Sequence, residues 1–283
     1  MTALRIPGVA DLLTVSDPSA IRSMADNPDL DRVSGGGPLV TRLLRGRLAR
    51  ALRTSQGPLP SALPRDSVER AAMRADLAAK LDEPGLDDRL AGAVDEAARF
   101  VAGGGGAAGP LAQTVLGRIF VAGFTATAET WDAARVIDRP LAPPSLASAV
   151  DALAGRLPAA QRVLSKAMAG DRNGVHAIGV AAQNLAATLD ALRALDRALP
   201  AREALARTLA APARVARQGT GVTETVAGRV RPGRLVVLEV GAAAARTLDS
   251  RVTFLSEAWS GCPAHAFVPR LTARIWRAAG GAP

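Results

Sequence analysis

The chain has 283 residues, 48% of them hydrophobic and 3% aromatic, and its formal net charge is +9. Its single cysteine excludes an internal disulfide and the cysteine-rich zinc and iron–sulfur centres, which need several thiolates. No apolar run reaches the roughly 18 residues that cross a bilayer, and the N-terminus lacks the pattern of a secretory signal. We therefore expect a cytoplasmic protein without a membrane partner, with an alanine-rich core in one compact domain.

The first half of the sequence predicts a series of helices after a short extended segment. Residues 5–15 are extended around a Pro-Gly turn, and the S-D-P-S motif that follows can cap a helix ending near Asp26. After a G-G-G loop, helices are predicted over 38–54, 67–81, 86–101, 111–123 and 127–137. The Pro-rich connector R-P-L-A-P-P marks the predicted boundary between an N-terminal helical region, 1–144, and a C-terminal region, 145–283.

The helix predicted over 38–54 is amphipathic and basic. One stripe consists of Leu39, Leu43, Leu44, Leu48 and Leu52, and arginines occupy the opposite face. Such a helix can bind nucleic acid, lie on a membrane surface, or bury its leucines and expose its arginines to solvent. The scarcity of aromatic residues that could stack on bases disfavours nucleic acid.

The second half predicts two long helices, a small hairpin and a terminal helix. The long helices are expected over 145–169 and 174–197, and a shorter one over 201–210. Thr220–Val226 and Arg234–Val240 alternate or are apolar, and they predict a hairpin around the intervening R-P-G, the only β pairing indicated. A last helix is predicted over 264–278, directly after a proline. The sequence as a whole predicts a mainly α fold with a small β-sheet.

Cys262 lies between a glycine and a proline, just before the last predicted helix. A helix N-terminus supplies partial positive charge and N–H donors that favour a thiolate, so this cysteine is a candidate metal ligand. The alternative is a buried, unreactive cysteine. His265, one turn into the same helix, is a weaker candidate ligand. For His176, near the start of the 174–197 helix, a solvent-facing or packing role is expected.

The order of several motifs resembles that of the cytochrome P450 superfamily. A-A-Q-N-L-A at 181–186 resembles the helix on the distal face of the haem, and E-A-L-A-R at 203–207 resembles the Glu-x-x-Arg motif. P-A-R-V-A-R and T-E-T-V-A-G-R-V-R-P-G-R-L-V-V-L, within 212–238, resemble the strands that follow, and Val236 to Ala245 the run of small residues after them. G-C-P-A-H-A-F resembles the cysteine-ligand loop, and residues 6–22 resemble the first strand and helix.

The resemblance implies a truncated P450-like architecture with haem b as cofactor and Cys262 as the metal ligand. It assigns haem contacts to Cys262, Pro263, Trp259, Arg217, Arg207, Arg70 and Arg74. It assigns catalytic positions on the distal helix to Ala182, Gln183, Asn184 and Leu185. The implied activity is oxidation of a small organic molecule in specialised metabolism, driven by peroxide or by a ferredoxin-type electron donor, or a redox-neutral conversion at haem.

The sequence departs from the family's pattern around the cysteine and in the Glu-x-x-Arg motif. Phe254 and Trp259 precede the cysteine at unusual distances, and Ala264 stands where glycine is usual. Ala204 stands at the expected glutamate position, with Glu203 one residue earlier. The buried Glu–Arg pair of the family is therefore in doubt.

The distal helix also departs from the pattern, because Asn184 and Leu185 replace the acid and the threonine that usually organise proton delivery. A second hypothesis follows, in which the chain is a haem-free P450 relative that assists another enzyme of its pathway. A third is a basic helical protein that binds nucleic acid, which the net charge supports and the lack of a recognised module disfavours.

Overall fold

The computed structural model of the protein describes residues 2–33, 36–139 and 156–283. The chain forms two compact units. The first, which we call the sheet unit, consists of Met1–Arg50, Ala62–Ala71 and Ala211–Cys262. The second, the helical unit, consists of Ala51–Ser61, Ala72–Ala210 and Pro263–Pro283. The boundary predicted between residues 144 and 145 lies outside the described residues and stays a prediction.

The elements follow one another as a mainly helical chain. The strands are β1 (Thr2–Ile6), β2 (Ala10–Val15), β3 (Leu30–Asp31), β4 (Arg53–Thr54), β5 (Gly57–Pro58), β6 (Val215–Gly219), β7 (Thr223–Thr225), β8 (Gly228–Val230) and β9 (Leu235–Leu238). The helices are α1 (Pro18–Asp26), α2 (Leu39–Ala51), α3 (Val68–Leu81), α4 (Leu86–Val101), α5 (Ala108–Gly117), α6 (Ala128–Asp138), α7 (Arg156–Ala167), α8 (Arg172–His176), α9 (Ala182–Arg193), α10 (Ala201–Thr208), α11 (Val240–Thr247), α12 (Ser250–Phe254) and α13 (Phe267–Ala278). A π-helical turn, Ala177–Ala181, joins α8 to α9.

The sheet unit is built on five strands in the order β1-β2-β9-β6-β3. Strands β2 and β9 are parallel, and the other neighbouring pairs are antiparallel. Leu13 of β2 and Val236 of β9 are buried beneath α1 and α11, which contribute Ile21 and Val240 to the same core. Strand β1 lies at the edge of the sheet, and all of its residues are exposed.

The hairpin predicted between Thr220–Val226 and Arg234–Val240 is wrong. Strand β7 pairs with β8, whereas β9 pairs with β6 on one side and β2 on the other. A central strand that is apolar on both faces has no alternation, so its pattern does not identify its partners. Gly219, the last residue of β6, lies very close to the backbone of Arg231. A Cβ atom on residue 219 would lie 2.1 Å from the carbonyl oxygen of Arg231, so this approach requires glycine.

The helical unit has its own core, formed mainly by α4, α5, α9 and α13. Helix α4 has the predicted bounds, and α2, α3, α6 and α10 are close to theirs. Helix α5 ends at Gly117 and does not continue to residue 123. The chain folds back there, and the Phe124 ring packs against Gly117. A Cβ atom on residue 117 would lie 2.1 Å from Phe124 Cδ1. Of the helix predicted over 145–169, the described part is α7.

Trp276 is the largest fully buried side chain of the helical core. Its Nε1 donates to the carbonyl oxygen of Leu199 at 3.2 Å. We expect Trp276→Ala to lower the free energy of unfolding by about 3–5 kcal/mol, because the substitution leaves a cavity. Urea unfolding measures this loss. Val226→Ala, an exposed control, should change it by less than about 0.5 kcal/mol, and equal losses in the two variants would contradict the assigned packing.

Candidate functional site

Cys262 lies in a loop that folds back onto α12. Its backbone N–H donates to the carbonyl oxygen of Phe254 at 2.8 Å, and its side chain is half-buried. The preceding Gly261 donates to Ala258 at 2.8 Å. Only glycine fits there, since a Cβ would lie 2.4 Å from the carbonyl oxygen of Leu255. The Gly before the cysteine therefore has a structural reason in this loop.

The last helix begins later than predicted. It starts at Phe267, and residues 263–266 form turns, so Pro263 does not open the helix directly after Cys262. The N-cap residue is Ala266, which has no side-chain oxygen to cap the first turn. The predicted start of this helix directly after Pro263 is therefore wrong, and the thiolate stabilisation inferred from it stays a prediction. His265 lies exposed in the same turns.

Four arginines surround the ring of Trp259, within the sheet unit. Distances from the guanidinium carbon to the ring centroid are 4.7 Å for Arg70, 5.3 Å for Arg217, 5.6 Å for Arg32 and 5.8 Å for Arg65. We call these five residues the arginine–tryptophan cluster. Attraction of each cation to the ring offsets part of the repulsion among the four charges.

Arg70 and Arg217 are the buried members of the arginine–tryptophan cluster, with 6% and 3% of their surface exposed. Arg70 Nη2 donates to the carbonyl oxygen of Trp259 at 2.8 Å. Arg217 donates Nη1 to Ala216 at 2.9 Å and Nη2 to the hydroxyl of Ser260. Both guanidinium groups are thus fixed to the strand and the loop that lead to Cys262.

Buried donors of the cluster that find no hydrogen-bond acceptor among the described residues include Arg217 Nε, Arg65 Nη1 and Trp259 Nε1. Burial lowers the pKa of Arg217 to about 10, with the charge of Arg70 adding to the shift and Asp31 opposing it. A buried donor without an acceptor costs about 1–3 kcal/mol. A bound carboxylate would satisfy such donors and offset the excess positive charge.

Arg207 and Arg74 lie in the helical unit. Arg207 forms an exposed ion pair with Glu203, one turn earlier on α10, and Ala204 is buried. This is a surface pair and not a buried Glu–Arg pair, because the glutamate stands one position too early to face the core. Arg74 is half-buried on α3. The assignment of both as haem contacts stays a prediction.

The predicted distal residues begin α9. Ala182 and Leu185 are buried in the helical core, whereas Gln183 and Asn184 are half-buried. Gln183 Nε2 is buried and meets no acceptor in the part of the chain that the structure describes. The hydroxyl of Thr188 donates to the carbonyl oxygen of Asn184 at 2.9 Å. Their catalytic assignment stays a prediction.

Gln113, which the sequence reading missed, lies against the π-helical turn just before these residues. It is fully buried on α5, and its Nε2 donates to Ile178 and to Thr130 carbonyl oxygens, each at 3.0 Å. Its Oε1 accepts from the Thr130 hydroxyl at 2.8 Å. Such π turns are frequent at functional sites. The one available signal was a glutamine in a helix whose only other polar side chain is Thr114.

Replacement of Gln113 by leucine should loosen this turn. We expect Gln113→Leu to lower the free energy of unfolding by roughly 1–3 kcal/mol, because two buried carbonyl groups lose a donor. Hydrogen exchange should quicken most at the amides of Ala177–Ala181. Gln56→Leu, at an exposed position, is the matched control. Unchanged exchange in the Gln113 variant would refute its assigned role.

Two surface clefts, one in each unit, differ in their lining. One, of about 430 Å³, is lined by residues of α4 and α13 that include Asp87, Leu271 and Arg274. The other, of about 620 Å³, includes Arg22 and Asp26 of α1. Within the described ranges, no group of three or more His, Cys, Asp or Glu side chains is arranged to hold a metal ion.

The sequence matches no family model and no curated protein. Solved structures of cytochromes P450 are nevertheless similar in fold. CYP175A1 from Thermus thermophilus is 16% identical, with 96% of this chain and 82% of that chain covered and a TM-score of 0.64. MoxA from Nonomuraea recticatena is 14% identical, with coverages of 99% and 83% and a TM-score of 0.59. CxnD, the P450 for C–S bond formation in chuangxinmycin biosynthesis, is 12% identical, with coverages of 95% and 79% and a TM-score of 0.59.

The similarity extends over nearly all of this chain but leaves about a fifth of each of those proteins unmatched. Identities of 12–16% establish the architecture and leave chemistry to the side chains of this chain. The expectation of a mainly helical fold with a small sheet is confirmed. The protein therefore has a truncated cytochrome P450-like fold.

Proposed function

We propose that this protein binds haem b through Cys262 and uses it to oxidise a small organic molecule. The observation that carries the proposal is the arginine–tryptophan cluster, whose buried donors lack acceptors, in the same compact unit as Cys262. In a P450-like fold, we interpret this combination as a haem site. A cytoplasmic location and a role in specialised metabolism complete the proposal.

The residues of the sheet unit fit a haem in charge and in donor chemistry. Haem b carries two propionates, and Arg217 and Arg70 are the buried guanidinium groups suited to hold carboxylates. Arg65 and the indole N–H of Trp259 offer further donors. When bound through a thiolate, haem supplies oxidative chemistry that is promoted by electron donation from the sulfur.

Cys262 must be deprotonated to act as the ligand. Helix α13 begins at Phe267, and the residues between it and Cys262 form turns. Positive charge in the same segment comes from the cluster, since Ser260, two residues earlier, accepts from Arg217. In this proposal the arginines hold carboxylates.

The choice of oxidant follows from the start of α9. Asn184 cannot act as an acid, and Leu185 is buried in the core, so this position offers no acid–alcohol pair for proton delivery. Peroxide, which brings its own protons and electrons, is therefore favoured over O₂ with a ferredoxin-type donor. The lack of an acid–alcohol pair is equally compatible with a redox-neutral conversion at haem. Gln183 Nε2 is the side-chain donor best suited to orient a polar substrate group.

Titration of the purified protein with haemin tests the proposal. We expect saturation at one haem per chain, with a Soret band that differs from that of free haemin. Myristic acid, found with one P450 of similar fold, is a suitable first probe for a spectral response to substrate. Failure of the folded protein to take up haemin would refute the proposed function.

The second hypothesis, a haem-free partner of another pathway enzyme, has its own support. The Glu203–Arg207 pair is exposed, and the terminal helix does not start at Cys262. This alternative predicts a folded protein that takes up no haemin and co-purifies with an enzyme of its pathway. Oxidation by the isolated chain with haem and peroxide would exclude it.

A further inference from the structure

An apolar and basic surface covers β1, the turn after it, and α2 in the sheet unit. We propose that this surface binds anionic lipid, so that the protein attaches to the face of a membrane. The proposal does not depend on haem binding. Six large aliphatic side chains form its centre, and each is at least 39% exposed: Leu4, Ile6, Val9, Leu39, Val40 and Leu43. We call it the β1–α2 surface.

Backbone hydrogen bonds join the parts of the β1–α2 surface into one patch. Val9 N donates to Ile6 at 3.0 Å within the turn. Leu39 N donates to Gly8 at 3.1 Å, and Val40 N to Val9 at 2.9 Å, so the start of α2 lies against the turn. The described residues contain ten exposed large hydrophobic side chains, and six of them are here. Such a concentration marks an interaction site and not ordinary surface variation.

The leucines of the stripe predicted on α2 are not all buried. Leu52, just past the helix, is buried, and Leu44 and Leu48 are half-buried. Leu43, by contrast, is 59% exposed, and Leu39 is 44% exposed. The first turns of this helix therefore present apolar side chains to the surroundings. A solvated basic face alone does not account for them.

The charged residues of β1 and α2 are all arginines, and Asp11 of β2 lies opposite Arg5 across the strand pair. Strand β1 and helix α2 carry five arginines and no acidic residue: Arg5, Arg42, Arg45, Arg47 and Arg50. Like charges disfavour a second copy of the chain on this patch, whereas anionic headgroups complement it. Arginine stems can also extend over apolar surface while their charged ends reach phosphate groups.

Aliphatic side chains at the centre favour lipid over nucleic acid. The patch has no aromatic residue to stack on bases, and exposed leucines gain nothing from contact with a phosphate backbone. Among the described residues, no helix has the length and hydropathy of a membrane-spanning segment. The exposed leucines and the arginines of α2 suit an interfacial helix, whose apolar side enters the boundary between headgroups and acyl chains.

Co-sedimentation with vesicles of phosphatidylcholine, with and without phosphatidylserine, tests the proposal. We expect binding to the anionic vesicles that weakens with salt, and little binding to phosphatidylcholine alone. Leu39→Ser/Leu43→Ser should reduce the affinity roughly thirtyfold through lost apolar burial. Arg42→Gln should reduce it about fivefold, since one basic residue near an anionic surface contributes about 1 kcal/mol.

Val222→Ser/Val226→Ser is the matched control, because both valines are exposed in the same unit but outside the β1–α2 surface. Circular dichroism confirms that each variant is folded. The proposal is overturned if anionic vesicles do not sediment the protein, or if the control loses as much binding as the leucine variant. Binding to a DNA oligonucleotide in place of vesicles, or self-association that the leucine variant abolishes, would also overturn it.

Discussion

Cys262→Ser should remove the spectral signature of thiolate ligation from the haem-loaded protein. A serine hydroxyl remains protonated at neutral pH, so the iron loses an anionic sulfur donor that no other residue of the chain can replace. In the reduced, CO-bound state the Soret band should move completely from the long-wavelength position of thiolate-bound haem to a shorter wavelength. Absorption spectroscopy of matched samples measures this shift.

Ser256→Ala is the control for that experiment. Ser256 lies in the same segment and is half-buried, but it does not belong to the arginine–tryptophan cluster. Its spectrum should equal that of the unmodified chain. An unchanged band in the Cys262 variant would assign the ligand elsewhere, and His265, exposed in the turns that follow, would be the next residue to replace.

Arg217→Leu should weaken haem binding by roughly ten- to a hundredfold, because a hydrogen bond to a charged group contributes about 1.5–3 kcal/mol. Arg217→Lys should restore part of the affinity, since lysine keeps the charge but not the planar set of donors. Haemin titration of the three proteins gives the ratios. Urea unfolding without haem shows whether a variant has lost affinity or has lost its fold.

Arg202→Leu is the matched control for Arg217, because Arg202 is exposed on α10. Its haem affinity should stay unchanged. If Arg217→Leu bound haem as tightly as the control does, the unsatisfied donors of the cluster would have to serve another anion. The assignment of the propionates to the sheet unit would then be wrong.

The helices could be predicted because their signals are local. Asp17 accepts from Ala20 N at 2.9 Å and caps α1, as the S-D-P-S motif indicates. The pairing of β9 could not be predicted in this way, since its neighbours come from distant parts of the chain. Helices α11 and α12 were also missed. They have only eight and five residues, too few for a clear helical period in the sequence.

The candidate site was predicted in part, through the resemblance to a family. Trp259, Arg70 and Arg217 were expected to lie near haem, and they share one cluster with Arg32 and Arg65. The last two were missed, because a long-range meeting of side chains leaves no motif in the sequence. The delayed start of α13 was missed as well. A proline suits a first helical turn, but it does not dictate one without a capping residue.

The proposed function depends on a bond between the Cys262 sulfur and haem iron. The most direct test is the absorption spectrum of the purified, haem-loaded protein after reduction under CO. We predict a Soret band at the long-wavelength position that thiolate ligation produces, from one haem per chain. A band at the shorter wavelength of a neutral ligand, or a folded protein that retains no haem, would contradict the account.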